Sequence, residues 1–201
     1  MNIYLLRHGE TAYNAGGKYL GNTDLPLTSR GRQALTRADF TVETVYVSPL
    51  RRTAETAEIL FPGAKQIVVP DFREMDFGVF EGRSWKDMEG FPAYRAWVDG
   101  GCAGQIPGGE SRTRFSRRVC AAFEEVVARE AAAGKEALAI VAHGGTQMAV
   151  LERYALPHRD YFAWNGPLGG GFALDGSRWE GERTLTLLGT VRYIVKTLEN
   201  V

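Results

Sequence analysis

The sequence predicts an α/β fold: a mostly parallel central sheet covered by helices on both faces, with a small helical lid inserted at about residues 82–110. Three observations carry this expectation. Short β-branched and aromatic runs alternate with stretches of helical period, the pattern of strands joined by crossover helices. Two of the apolar runs end in a histidine followed by glycine, at His8-Gly9 and again at His143-Gly144. The chain has 201 residues, 44% hydrophobic and 24% charged, which suits one domain spanning residues 1–201 with no linker.

Taken in order, Asn2-Ile3-Tyr4-Leu5-Leu6 reads as a buried strand that runs into Arg7-His8-Gly9-Glu10-Thr11. Residues 13–24, with Gly16-Gly17 and Gly21-Asn22, read as a functional loop. Its Gly16-Gly17-Lys18 is not a P-loop, since the glycine spacing and the following Ser/Thr are missing. Thr28 is a candidate N-cap for a helix reaching about Phe40. Thr44-Val45-Tyr46-Val47 is a second strand. Ser48-Pro49 then looks like a helix start, with serine at the cap and proline at the first helical position. Leu50, Ala54, Ala57 and Phe61 share a face of that helix, and Pro62-Gly63 stops it.

Gln66-Ile67-Val68-Val69 is a third strand. Residues 71–82 are dense in charge and aromatics, and residues 84–109 carry Trp85, Tyr94 and Trp97 among glycines and prolines, as a helical lid would. At least two of those three aromatics are expected to serve as core. Ser111 opens the clearest helix, with Phe115, Val119, Ala122, Phe123, Val126 and Val127 as its apolar stripe and Gly134 at its end. Ala137–Ala142 is a buried strand, a helix follows through Met148 and Leu151 toward Pro157, and residues 172–195 hold two more strand-like runs.

Composition removes several function classes. Lys plus Arg and Asp plus Glu are both 24, so the formal charge is 0, without the basic excess of a nucleic-acid binder. No apolar run is long enough for a membrane span, and Met1-Asn2-Ile3 lacks the features of a signal peptide. Two cysteines suit a reducing compartment, so a cytoplasmic location is expected. No Cys/His cluster has metal-ligand spacing, and neither a metal nor a cofactor is expected.

The chemistry gathers at strand ends. In a parallel sheet all carboxyl ends lie on one edge, so Arg7, His8, Arg52, Glu74 and His143 can converge there. His8 is neutral near physiological pH and can be a nucleophile. Arg7 offers a fork of donors for phosphate or carboxylate. Arg52, in the first turn of its helix, adds to an anion site at the helix N-terminus, whereas its neighbour Arg51 reads as a solvated surface residue. A protonated His143 could donate to an anion. Glu74 has two competitors, Asp76 and Glu81, which spacing does not rank.

Arg7-His8-Gly9-Glu10-Thr11, the loop Gly21-Asn22-Thr23-Asp24 with Leu27-Thr28 and Gly31, the run Ser48-Pro49-Leu50-Arg51-Arg52, Glu74 and His143-Gly144 together resemble the histidine phosphatase superfamily, which includes phosphoglycerate mutases and many phosphatases. The resemblance implies that His8 is a phosphorylated nucleophile. It implies that Arg7, Arg52 and His143 form the phosphate pocket, and that Glu74 is the proton donor. It also places Thr11, Asn14, Leu20, Gly21 and Gly144 at the substrate. Met75-Asp76-Phe77 departs from the Arg-x-Tyr-like pattern of the mutases, which favours hydrolysis. The run Glu74-Met75-Asp76-Phe77-Gly78 with Phe80-Glu81-Gly82, and the later Gly108-Gly109-Glu110-Ser111, look similar to α-ribazole phosphatases. The expected substrate is a small phosphorylated metabolite, with α-ribazole 5′-phosphate one candidate and a homodimer one possible assembly. A broad-specificity phosphatase, mutase-type transfer and a catalytically silent phospho-ligand or protein-binding module stand as alternatives.

Overall fold

The computed structural model describes residues 1–195. The strands are β1 (Asn2–Arg7), β2 (Thr44–Val47), β3 (Lys65–Val68), β4 (Ala137–Ala142), β5 (Ala155–Leu156), β6 (Gly170–Asp175) and β7 (Leu185–Arg192). The helices are α1 (Ala12–Ala15), α2 (Ser29–Ala34), α3 (Arg51–Leu60), α4 (Pro92–Asp99), α5 (Arg112–Ala132), α6 (Gly144–Tyr154) and α7 (Trp179–Glu182). Among the described residues the strands form one seven-stranded sheet in the order β3-β2-β4-β1-β6-β7-β5. β3, β2, β4 and β1 are mutually parallel, while β6 runs antiparallel to both β1 and β7. β5 pairs parallel with β7. The sheet is thus mixed but mostly parallel, as expected.

The period-2 alternation of the central strands builds a core on each face. Ile3, Leu5, Tyr46, Leu138 and Ile140 point to one side, where they pack with Phe115, Val119 and Phe123 of α5 and Val150 of α6. Leu6, Val45, Val47, Ala139 and Val141 point to the other, against Ala57 and Leu60 of α3 together with Leu27 and Leu35.

Local boundaries differ from expectation where tertiary partners intervene. The helix expected from Thr28 to Phe40 ends at Ala34, although Thr28 does cap it by accepting from Gly31 N. Leu35 is extended instead, because it bridges to Ile194 and Thr36 donates to the Tyr193 carbonyl. Ser48 is not the cap of α3: that helix starts at Arg51 with Leu50 at the cap position. The strand expected at 66–69 lies one residue earlier. The start of the segment 13–24, read as loop, lies instead in the single helical turn Ala12–Ala15, closed by a reciprocal Thr11–Asn14 capping box.

The insertion between β3 and α5 is helical, with a 3-10 turn at Lys86–Met88 and then α4. Tyr94 and Trp97 are buried there, and with Phe80 and Tyr19 they form a contiguous aromatic cluster. Trp85 is exposed. So two of the three lid aromatics are core, as expected.

Ile140 lies at the middle of the sheet with no exposure. Ile140→Ala is expected to cost about 2–5 kcal/mol. Urea unfolding should show a lowered midpoint at an unchanged m-value.

Candidate active site

The carboxyl ends of β1, β2 and β4 deliver His8, Ser48 and His143 to one edge, and the segment after β3 brings Glu74. Because β6 is reversed, its start lies at this same edge, and Asn165 and Gly166 precede it there. Above the edge opens a cavity of about 340 Å³. Arg7, His8 and Glu74 line it, together with Asn14, Leu20 and Gly144. The imidazoles of His8 and His143 stand 5.3 Å apart, centroid to centroid, at 64°.

His8 Nδ1 lies 2.7 Å from the Gly9 carbonyl. A carbonyl only accepts, so Nδ1 carries the proton and Nε2 keeps its lone pair. Burial holds the His8 pKa well below its ordinary 6.5, and the Arg52 and Arg7 charges push the same way. The nucleophile candidate is therefore neutral.

Arg7 Nη1 donates to Asn165 Oδ1 and to the Gly166 carbonyl, both at 3.0 Å. Arg52 has no solvent exposure. Its Nη1 and Nη2 donate to the carbonyls of Thr23 and Gly21 at 3.0 and 2.8 Å. Burial lowers its pKa to about 10, leaving it cationic at neutral pH. His143 Nε2 lies 2.8 Å from Ser48 Oγ. Its pKa also falls well below 6.5, by burial first and then by Arg52. His143 is thus neutral here, and its N–H, not an added proton, is what it has to donate. Among the described residues, Arg7 Nε, Arg52 Nε and His143 Nδ1 are buried without a hydrogen-bond partner. Arg7 lines the cavity, whereas Arg52 and His143 are fully buried and do not line it.

Glu74 is buried, and its two oxygens accept from Met75 N at 2.8 Å and Gly145 N at 3.1 Å. Burial raises its pKa above 4.5, against the pull of those N–H groups and of Arg52 and Arg7. A Cβ on Gly145 would stand 2.2 Å from Glu74 Oε1, so only glycine lets the carboxylate reach the first turn of α6. The structure separates the three competing carboxylates. Glu81 Oε1 accepts from Gly21 N and Thr23 N, and Asp76 Oδ1 accepts from Gly78 N.

The remaining candidates divide. Asn14, Leu20 and Gly144 line the cavity. Thr11 has no exposure, and its hydroxyl bonds Asn14 Oδ1 at 2.8 Å, so it holds Asn14 and does not face the cavity. Gly21 contributes its carbonyl to Arg52. Sequence reasoning missed the site contributions of Ser48, Asn165, Gln147 and Arg112. Ser48 was legible only as a cap. Gln147 donates to the Leu5 carbonyl and accepts from Gly166 N, tying β1 to the turn that holds Arg7. Arg112 at the cavity rim lies over the Tyr161 ring, 4.9 Å from its centroid. A buried glutamine and an asparagine before a reversed strand carry no motif.

Comparison with known proteins agrees with this geometry. A model of the histidine phosphatase superfamily (branch 1) matches residues 3–170. The chain is 36% identical over 155 residues to the "Probable phosphoglycerate mutase GpmB" of Salmonella typhi, covering 72% of this chain and 70% of that one. The structure superposes on the alpha-ribazole phosphatase of Shigella flexneri with a TM-score of 0.76 at 28% identity, covering 93% and 94% of the two chains. It superposes on a phosphoglycerate mutase of Thermus thermophilus with a TM-score of 0.69 at 33% identity, covering 95% and 98%. With its paired histidines and arginines on one sheet edge, and a family match that runs from β1 to β6, the chain belongs to the histidine phosphatase superfamily, branch 1.

Proposed function

We propose that this protein hydrolyses phosphomonoesters through a phosphohistidine on His8. The observation that carries the reading is the lone pair on His8 Nε2 with Arg7, Arg52 and His143 around it, each carrying a buried polar atom without a partner. In this reading His8 Nε2 attacks phosphorus and the ester P–O bond breaks. Glu74, protonated because burial raises its pKa, gives its proton to the departing alkoxide. Water then attacks phosphorus as Glu74 takes its proton, the N–P bond breaks with its electron pair returning to His8 Nε2, and inorganic phosphate leaves. Arg7 and Arg52 balance charge on the equatorial oxygens, where phosphoryl-transfer catalysis mostly resides. The positive end of α6 adds to this, with His143 at its cap position. Guanidinium groups supply the countercharge, so the reading requires no metal or cofactor.

The cavity wall bears on the substrate. Tyr19, Phe77, Trp97, Tyr161 and Phe162 line it, with Met75 and Met148. The rings suit a part-apolar, planar alcohol the size of a nucleoside, and Lys18 and Arg112, which also line the cavity, suit a further anionic group. With the likeness to the Shigella enzyme, this supports α-ribazole 5′-phosphate as the first substrate to try. Mutase-type transfer is the second reading, favoured by the identity to the Salmonella relative.

The native chain incubated with p-nitrophenyl phosphate and a chelator is expected to release nitrophenol, and His8→Ala to abolish turnover. Quenched turnover should trap an acid-labile phosphate on His8; an acid-stable phosphoserine would rule the mechanism out. On phenyl phosphate, whose leaving group needs a proton, Glu74→Gln is expected to slow turnover about 10²–10⁴-fold, the usual worth of a proton donor. Glu81→Gln should cost far less, and the opposite ranking of these two variants in kcat would reverse the assignment. The pH profile follows from the two shifts. Activity should fall at acid pH as His8 is protonated, with that limb below 6.5, and fall again at higher pH as Glu74 loses its proton, with that limb above 4.5. The ratio of the native and Glu74→Gln profiles cancels the substrate's own titration. Only the alkaline limb should differ between them.

A further inference from the structure

Glu74 sits on a stretch with little regular structure. After the single 3-10 turn Pro70–Phe72, residues 73–77 belong to no helix or strand. No ladder of main-chain bonds fixes that backbone, and a charged side chain from α5 does so instead. Arg118 Nη1 donates to the carbonyls of Asp71 and Arg73 at 2.8 and 2.9 Å, and Nη2 reaches that of Glu74 at 3.5 Å. The other side of its fork holds Glu110, with Nε to Oε1 at 3.2 Å and Nη2 to Oε2 at 2.7 Å. Glu110 in turn grips the far side of Glu74. Its Oε2 accepts from Asp76 N at 3.1 Å, and its own N–H donates to the Asp76 carbonyl at 2.9 Å. The Gly108-Gly109 pair makes the approach possible: a Cβ on Gly109 would stand 2.3 Å from the Asp76 carbonyl. The side chains of Arg118 and Glu110 are each 14% exposed, so this pair is screened less than a surface bridge.

We propose that Arg118 and Glu110 are positioning residues that hold the Glu74 carboxyl at the reacting ester oxygen. This rests on Glu74 being the proton donor. The main chain is pinned on both sides of Glu74, at 71 and 73 by Arg118 and at 76 by Glu110, so the carboxyl is aimed from a fixed base. Neither residue lines the cavity, so both act through Glu74. A displacement of about 1 Å at a proton donor costs on the order of 10²-fold in rate. In the P–O cleavage step it does so only when the leaving group needs the proton.

That dependence gives the test. Turnover of p-nitrophenyl phosphate, whose leaving group departs without much protonation, is compared with that of phenyl phosphate, whose leaving group needs it. Arg118→Met and Glu110→Gln are expected to lose about tenfold or more in kcat/KM, which reads the P–O cleavage step and not the hydrolysis of the shared phosphohistidine, on phenyl phosphate beyond their loss on p-nitrophenyl phosphate. Glu74→Gln should show the same leaving-group dependence, only larger. Arg118→Lys keeps the charge but not the fork, and should fall between Arg118→Met and the native chain. It also stands in for Arg118→Met should circular dichroism show that variant unfolded. Equal losses on the two substrates, or none on either, while Glu74→Gln keeps its leaving-group dependence, would overturn the positioning role and leave the proton donor in place. A Glu74→Gln variant without leaving-group dependence would overturn the donor assignment itself, and the positioning role with it.

Discussion

A guanidinium with no contact with solvent needs acceptors that are themselves fixed, and the site depends on how Arg52 meets this need. Its acceptors are the carbonyls of Gly21 and Thr23, and the N–H groups of those same two residues are held by Glu81. One turn of chain is thus gripped from both sides, by a cation on its carbonyls and an anion on its amides. The arrangement explains why a buried cation is tolerated here, and it commits Glu81 Oε1 to the amides of Gly21 and Thr23. It leaves Arg52 Nε unpartnered, and the Arg52 charge adds to burial, the larger cause, in holding the His8 and His143 pKa values down.

The second constraint is close approach. Four parallel strands bring their ends together, but side chains of ordinary length would fill the space between them. A Cβ on Gly21 would lie 2.1 Å from the Met75 carbonyl, as one on Gly145 would crowd Glu74. Both glycines are places where two pieces of backbone, or a backbone and a carboxylate, must touch. The reversal of β6 completes the enclosure by returning Asn165 and Gly166 to the edge that β1 leaves, where they orient Arg7.

Much of this was legible in the amino-acid order. The strand Asn2–Leu6, the helix from Ser111 and the strand Ala137–Ala142 carry complete periodic patterns, and they form where the patterns place them. The errors have a common origin. Thr28–Phe40 looked helical because its local propensities are helical, yet Leu35 pairs with Ile194, near the other end of the chain. Ser48 looked like a cap because serine before proline usually is one. Its hydroxyl instead faces His143 Nε2 while accepting from Leu50 N. The four residues of α1 are too few to show a period. For Leu35 and Ser48 a partner distant in sequence outweighed a weak local preference.

By itself, the sequence determined the α/β alternation, the strand-end placement of Arg7, His8 and His143, and the family to which they point. Those features rest on periodicity and on neighbours in the chain. The tertiary structure decided which of three nearby carboxylates is buried beside α6 and which histidine nitrogen keeps its lone pair. It also decided that Thr11 supports Asn14 without facing the cavity, and that Glu110 reaches Asp76. These depend on which backbone groups come within about 3 Å of a side chain, the range of a hydrogen bond. That is settled when the sheet edge closes and the chain packs against α5 and α6.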